Sequence, residues 1–209
     1  MEDDGSRRPT LYGLTQTYTS LVEEFRTNED VEAARNDFGS IAQIGLGILR
    51  NQSRSEDEVL EQAATNIGVP AAVIARWIND PRKTHPDFLA AVLDTLRTFI
   101  FDAARETAKI VETINATLGK KGAHDDFPRF KLLVEQGCDK LRLYGEEDGE
   151  RIADELQARL KQTDPELIDK AFRRKALKHL AEALVLLLGT APPESEASKP
   201  LQEEDALLN

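Results

Sequence analysis

The chain has 209 residues, enough for one sizeable core or two small ones, and its 40% hydrophobic and 31% charged content excludes the disordered and membrane-embedded classes. Its formal net charge of −11 opposes general attraction to nucleic acid, because such affinity comes from neutralising phosphates with Lys and Arg. The longest apolar run, Ala183 to Leu188, is far shorter than the roughly 18 residues of a membrane-spanning helix. The opening MEDDGSRRPT also lacks the apolar stretch of a secretory signal, so a cytoplasmic protein without a membrane partner is expected.

Residues 1–9 are polar and expected to be disordered. From there, apolar residues recur at spacings of three and four with no alternating runs, so the expected class is all-α. Leu11, Leu14, Tyr18, Leu21, Val22 and Phe25 form a first helical stripe. Val31, Ala34, Phe38, Ile41, Ile44 and Ile48 form a second, interrupted by Gly39, Gly45 and Gly47, which weaken a helix or admit close packing. Ser55 to Glu58 reads SEDE, a capping box, and opens a short helix that ends near Gly68. Pro70 suits the first turn of the next helix, which stops near Pro81. A helix of unusual length is then expected over residues 86–118, carried by Phe88, Leu89, Val92, Leu93, Leu96, Phe99, Ile100, Ala103, Ala104, Ala108, Val111 and Ile114. It serves either as a spine between two lobes or as a pairing surface for a second copy.

Gly119-Lys120-Lys121-Gly122 breaks that pattern, and residues 119–125 are expected to be a linker. Three more helices are expected near 126–144, 147–161 and 164–188, the last opened by the capping sequence TDPE and closed by Gly189. The expected organisation is therefore a helical domain over 10–118, containing the pair at 55–80, and a C-terminal helical domain over 126–189. Residues 190–209, rich in Pro, Ser and Glu, form an acidic tail expected to be disordered. The run ALVLLLG is apolar nearly all round, which calls for burial on more than one side, in a C-terminal core or a dimer interface.

Two short helices that cross at a fixed angle need a small residue at the contact, a Gly at the turn and apolar anchors behind both. Ala64, Ile67, Gly68, Val69, Ile74 and Trp77 meet those needs. AATNIGVPAAVIARW, followed by Pro86 and the Leu89, Leu93, Leu96 stripe, resembles the lambda-repressor-like helix-turn-helix family over about residues 38–97. The resemblance implies that the second helix enters the DNA major groove and presents Ala71, Ala72, Ala75 and Arg76 to the bases, with Pro70 in place of the usual Ser cap. Only Arg76 has side-chain donors for a guanine; the alanines offer contact with thymine methyls and little more. Leu60 stands where a phosphate-holding polar residue is expected, with Glu61 beside it. Arg82 and Lys83, with Arg50 and Arg54 as weaker candidates, suit phosphates or simply a solvated surface.

Charge is unevenly spread: residues 69–83 carry a net +2, residues 145–155 a net −5 and residues 190–209 a net −4. On the last helix Lys170, Arg174 and Lys178 share a face, with Arg173 and Lys175 adjacent; pairing with the acidic Glu146 to Glu155 segment is favoured over nucleic acid there. Cys138 is expected to be a buried structural thiol. His85, His124 and His179 are scattered, and His124-Asp125-Asp126 suits a helix cap better than acid-base chemistry, so no enzyme, metal or cofactor is expected. The expectation is a DNA-binding transcriptional regulator acting on double-stranded DNA as a homodimer. The alternative is an adaptor or antiactivator that keeps the helix-turn-helix fold but binds a protein, with LQEEDALLN resembling a short interaction motif. A third, architectural role rests on the long helix alone.

Overall fold

Helices account for nearly all the described residues, with no strand among them. The computed structural model describes residues 9–27, 31–50, 56–120, 126–143, 147–162 and 168–189. In chain order the helices are α1 (Leu11–Thr27), α2 (Val31–Arg50), α3 (Glu56–Ile67), α4 (Ala71–Asn79), α5 (Pro86–Gly119), α6 (Phe127–Leu143), α7 (Glu147–Gln162) and α8 (Lys170–Leu188), with one turn of 3-10 helix at Pro81–Lys83. None of the described helices is long and apolar enough to cross a membrane.

The spine is α5. It buries Leu89, Val92, Leu93, Leu96 and Ile100, and α1, which packs along it, buries all six apolar residues of its own stripe. Arg97 reaches from α5 to the Thr19 hydroxyl at 3.5 Å, and Asp94 faces Arg26 at 3.9 Å. α2 and α3 also pack on α5, while α6 and α8 pack on it farther along, where Lys140 meets Glu106 at 2.8 Å. Buried side chains from Leu11 to Leu188 form one continuous cluster that includes residues of every helix. Thr107 and Thr117 are buried on α5 because each hydroxyl donates to the carbonyl four residues back, Ala103 at 2.9 Å and Thr113 at 2.8 Å, so no polar atom is stranded.

The glycines of α2 divide by role. Tyr18 of α1 is wholly buried, and its phenol donates to the Ile41 carbonyl at 3.0 Å while lying directly on Gly45. Burial pushes the Tyr18 hydroxyl well above the ordinary tyrosine range. A Cβ at position 45 would overlap that phenol, whereas one at Gly47 meets nothing within 4 Å. Gly45→Ala is therefore expected to lose about 1 to 3 kcal/mol through overpacking. Gly47→Ala, in the same helix, gains about 0.5 to 1 kcal/mol by stiffening the unfolded chain. Urea unfolding of the two variants should move in opposite directions, and a shared sign would contradict this packing.

The start of α8 differs from expectation. It begins at Lys170, with Asp169 as its cap: the Asp169 carboxylate accepts from the Phe172 N–H at 2.6 Å. TDPE at 163–166 lies outside the described residues. Arg173, expected on a basic surface, is buried instead. Its guanidinium donates to the Ile168 carbonyl at 3.0 Å and lies 5.1 Å from the centre of the Phe127 ring. The basic face of α8 is thus narrower than the composition implies. At the start of α6, Asp126 accepts from the Arg129 N–H at 3.3 Å, which is a cap; His124 and Asp125 lie outside the described residues.

Candidate nucleic-acid interface at the corner of α3 and α4

Three residues, Gly68-Val69-Pro70, join α3 to α4. The chain leaves α3 through Gly68 at φ +77°, with the N–H groups of Gly68 and Val69 both bonding the Ala64 carbonyl, at 2.8 and 3.1 Å. This left-handed conformation favours Gly because a Cβ strains it, even though the space around Gly68 is open. Pro70 takes the cap position itself, one place before the expected first turn, and no side chain caps the start of α4.

The inner side of the corner is apolar. Leu60, Ala63 and Ala64 of α3 are buried, as are Ile74 and Ile78 of α4; Ile67 and Val69 are partly buried against the same cluster. Leu60, at the position where the resemblance looks for a phosphate contact, is a core residue. Ile78, which lies outside the expected anchor pair Ile74 and Trp77, is the second buried side chain of α4. Its carbonyl sits where a Cβ on Gly39 of α2 would come within 3.2 Å. Trp77 is only partly buried. Its ring stacks on Phe88 at 5.2 Å with an interplanar angle of 22°, and Phe88 is 43% exposed, with His85 edge-on to it at 6.3 Å.

The outer side carries the candidate contacts. Ala72 and Arg76 are exposed, while Ala71 and Ala75 are half-buried. Arg76 lies in the last turn of α4, and Arg82 and Lys83 are exposed just beyond it. The available cations therefore gather at the C-terminal end of α4, and its N-terminal end offers alanine methyls. An open groove at the turn is bordered by Glu61, Ala64, Thr65, Val69, Pro70 and Ala71, with Glu61 its one charged group. Arg54 and the side chain of Arg50 lie outside the described residues.

Arg35 of α2 positions the basic turn. Its guanidinium is largely buried and donates to the Pro81 carbonyl, immediately before Arg82 and Lys83. A hydrogen bond from a charged donor is among the stronger ones of a protein, worth about 1.5 to 3 kcal/mol. Arg35→Met keeps the aliphatic stem and removes that bond. It is expected to lower stability by about 1 to 3 kcal/mol and to raise amide hydrogen exchange at residues 82–84. Unchanged exchange there would show that the turn is held by other contacts.

Cys138 is wholly buried on α6, and burial pushes its thiol up to about 12, with Arg142 pulling down and Asp139 and Asp154 pushing up more weakly. The acidic α7 meets α6 through Asp154, which holds Arg142 at 2.7 Å. Among the described residues no three His, Cys, Asp or Glu side chains assemble as a metal-binding group. A solvent-open cleft of about 670 Å³ runs between α3, α5 and Arg26 of α1, with Asp94 on its wall bonded to Arg97 at 2.6 Å. Comparison with protein-family models, curated proteins and solved structures gave no match.

Proposed function

We propose that the chain binds double-stranded DNA as a transcriptional regulator, with α3, the Gly68 turn and α4 acting as a helix-turn-helix of the lambda-repressor-like kind. The observation that carries this reading is the two-sidedness of α4: Ile74 and Ile78 are buried while Ala72 and Arg76 face outward, with Arg82 and Lys83 exposed just past its end. In this arrangement Arg76 reads a guanine edge, the alanines lie against thymine methyls, and Arg82 and Lys83 hold phosphates. A homodimer would set two such corners on half-sites about 34 to 36 Å apart, one turn of the duplex. Selection from a pool of random duplexes, with full-length protein at low salt, tests the proposal. Enrichment of a motif with guanine at a fixed position is expected, and a folded protein that enriches nothing overturns it.

The half-exposed Trp77–Phe88 stack favours a second reading, in which the same corner docks a protein. Large aromatic side chains left half in solvent are common anchors at protein interfaces. Phe88→Ala distinguishes the two: it leaves DNA selection intact in the first case and abolishes partner capture in the second.

A further inference from the structure

We propose that the segment Leu201 to Leu208 of this same chain, LQEEDALL, docks in the groove between the end of α5 and the outer face of α8. The groove encloses about 450 Å³ and is lined by Leu118 of α5 with Lys178, Ala181, Glu182, Val185 and Leu186 of α8. Leu186 is 77% exposed and Val185 49%, so two large aliphatic side chains stand side by side with no cover among the described residues. ALVLLLG thus buries Leu184 and Leu188 in the core and leaves its opposite side open. Such a face is a binding surface in search of an occupant.

Three observations point to the tail as the occupant. The first is proximity: α8 ends at Gly189, whose φ of +72° turns the chain out of the helix within one turn of Leu186. Lys178 lies about 16 Å back along α8, while the eleven residues 190–200 extend to about 36 Å, so the tether reaches with slack. A tether of this length supplies an effective concentration of roughly millimolar. The second is charge. The groove is apolar at the end near Gly189 and carries Lys178 toward the other; Arg174, one turn before Lys178 on α8, and Lys120, two residues past Leu118, are exposed as well. The one acid on its wall, Glu182, makes an exposed pair with Lys178 at 3.7 Å, a weak and replaceable contact. LQEEDALL carries three acids followed by two leucines. The third is register. Glu203 to Leu207 spans up to about 13 Å when extended, and Lys178 to Leu186 rises about 12 Å along the helix, so acids and leucines meet cations and aliphatics together. A second copy pairing groove to groove would instead bring its own Arg174, Lys178 and Lys120 to the same place.

The docking does not depend on what the corner of α3 and α4 binds. Full-length protein carrying Ala206→Cys with a nitroxide label tests it; Cys138 is buried and stays unlabelled. Severalfold loss of methyl signal at Val185, Leu186 and Leu118 is expected, with the Ile74 and Ile78 methyls of α4, which packs on α2 and α3, unaffected as a fold control. Lys178→Glu should relieve the loss, and adding Glu203→Lys with Glu204→Lys should restore it. Absence of signal loss in the folded protein overturns the proposal. So does loss that is indifferent to Lys178→Glu, and so does loss that persists when nitroxide-labelled chains are mixed with unlabelled, isotope-enriched ones, which would assign the groove to a second copy's tail.

Discussion

Phe38→Ala is expected to remove about 3 to 5 kcal/mol of folding stability, a large share of the roughly 5 to 15 kcal/mol that holds a domain together. Phe38 is wholly buried on α2, edge-on to Phe25 of α1 with ring centres 6.1 Å apart and planes at 75°. This is the favourable edge-to-face arrangement, in which the positive rim of one ring meets the negative face of the other. The next residue, Gly39, lets α2 approach the Ile78 carbonyl of α4, so the ring sits where α1, α2 and α4 converge. Backbones held that close relax little into a cavity, which puts the loss toward the upper part of the range. Phe38→Leu keeps most of the volume and should lose under half as much. In urea unfolding the midpoint should fall with the slope unchanged, and a cycle with Phe25→Leu should show coupling of about 0.5 to 1.5 kcal/mol. A loss below about 1 kcal/mol for Phe38→Ala would mean that the junction is loosely packed and the corner is not held by α2.

How much of this was readable beforehand depends on the range of the interactions involved. The stripe of α1 is a local signal: all six apolar residues recur at helical spacing, and all six are buried. The turn at Gly68 is local too, since a positive φ needs a glycine whatever surrounds it. The misplacements are of another kind. Trp77 and Ile78 are adjacent and both apolar, and periodicity alone does not decide which one the body of the protein covers. That depends on how closely α2 approaches, which Gly39 and the ring of Phe38 set from forty residues away. Arg173 sits in a run of cations that looks like surface, and only the arrival of Phe127 from α6 and the bend at Ile168 give its guanidinium a buried place. Leu186 and Val185 show the converse: their composition calls for burial, and no described helix arrives to provide it. For the candidate interface, the identities of Arg76, Arg82 and Lys83 were legible, while Arg35, which holds the turn before them, had no local mark at all.

Arg76→Ala is expected to weaken binding to the selected duplex by about 1 to 3 kcal/mol, or roughly 5- to 150-fold, with little effect on unrelated duplexes. The reason is geometric. Among the outward side chains expected to face the bases, Ala71, Ala72 and Ala75 have no hydrogen-bond donor, so discrimination by hydrogen bonds falls on one guanidinium. Arg82→Gln with Lys83→Gln should act differently, weakening all duplexes alike and making the dependence of log affinity on log salt shallower by about 2, one unit per phosphate contact. With so few exposed cations at the corner and a net charge of −11 on the whole chain, the wild-type salt slope should itself be small, about −2 per protomer. Binding then depends on good fit more than on general attraction, and a folded regulator of this kind should show little nonspecific shift even at low salt. Ala72→Asp supplies the sharpest check, because it places an acid on the exposed first turn of α4 without touching Ile74 or Ile78: DNA binding should be lost, while the unfolding midpoint should not fall, since an acid near a helix N-terminus favours the helix. If Arg76→Ala and Ala72→Asp both leave DNA affinity as it was, α4 is not in the groove, and the Trp77–Phe88 surface is where a partner must be sought.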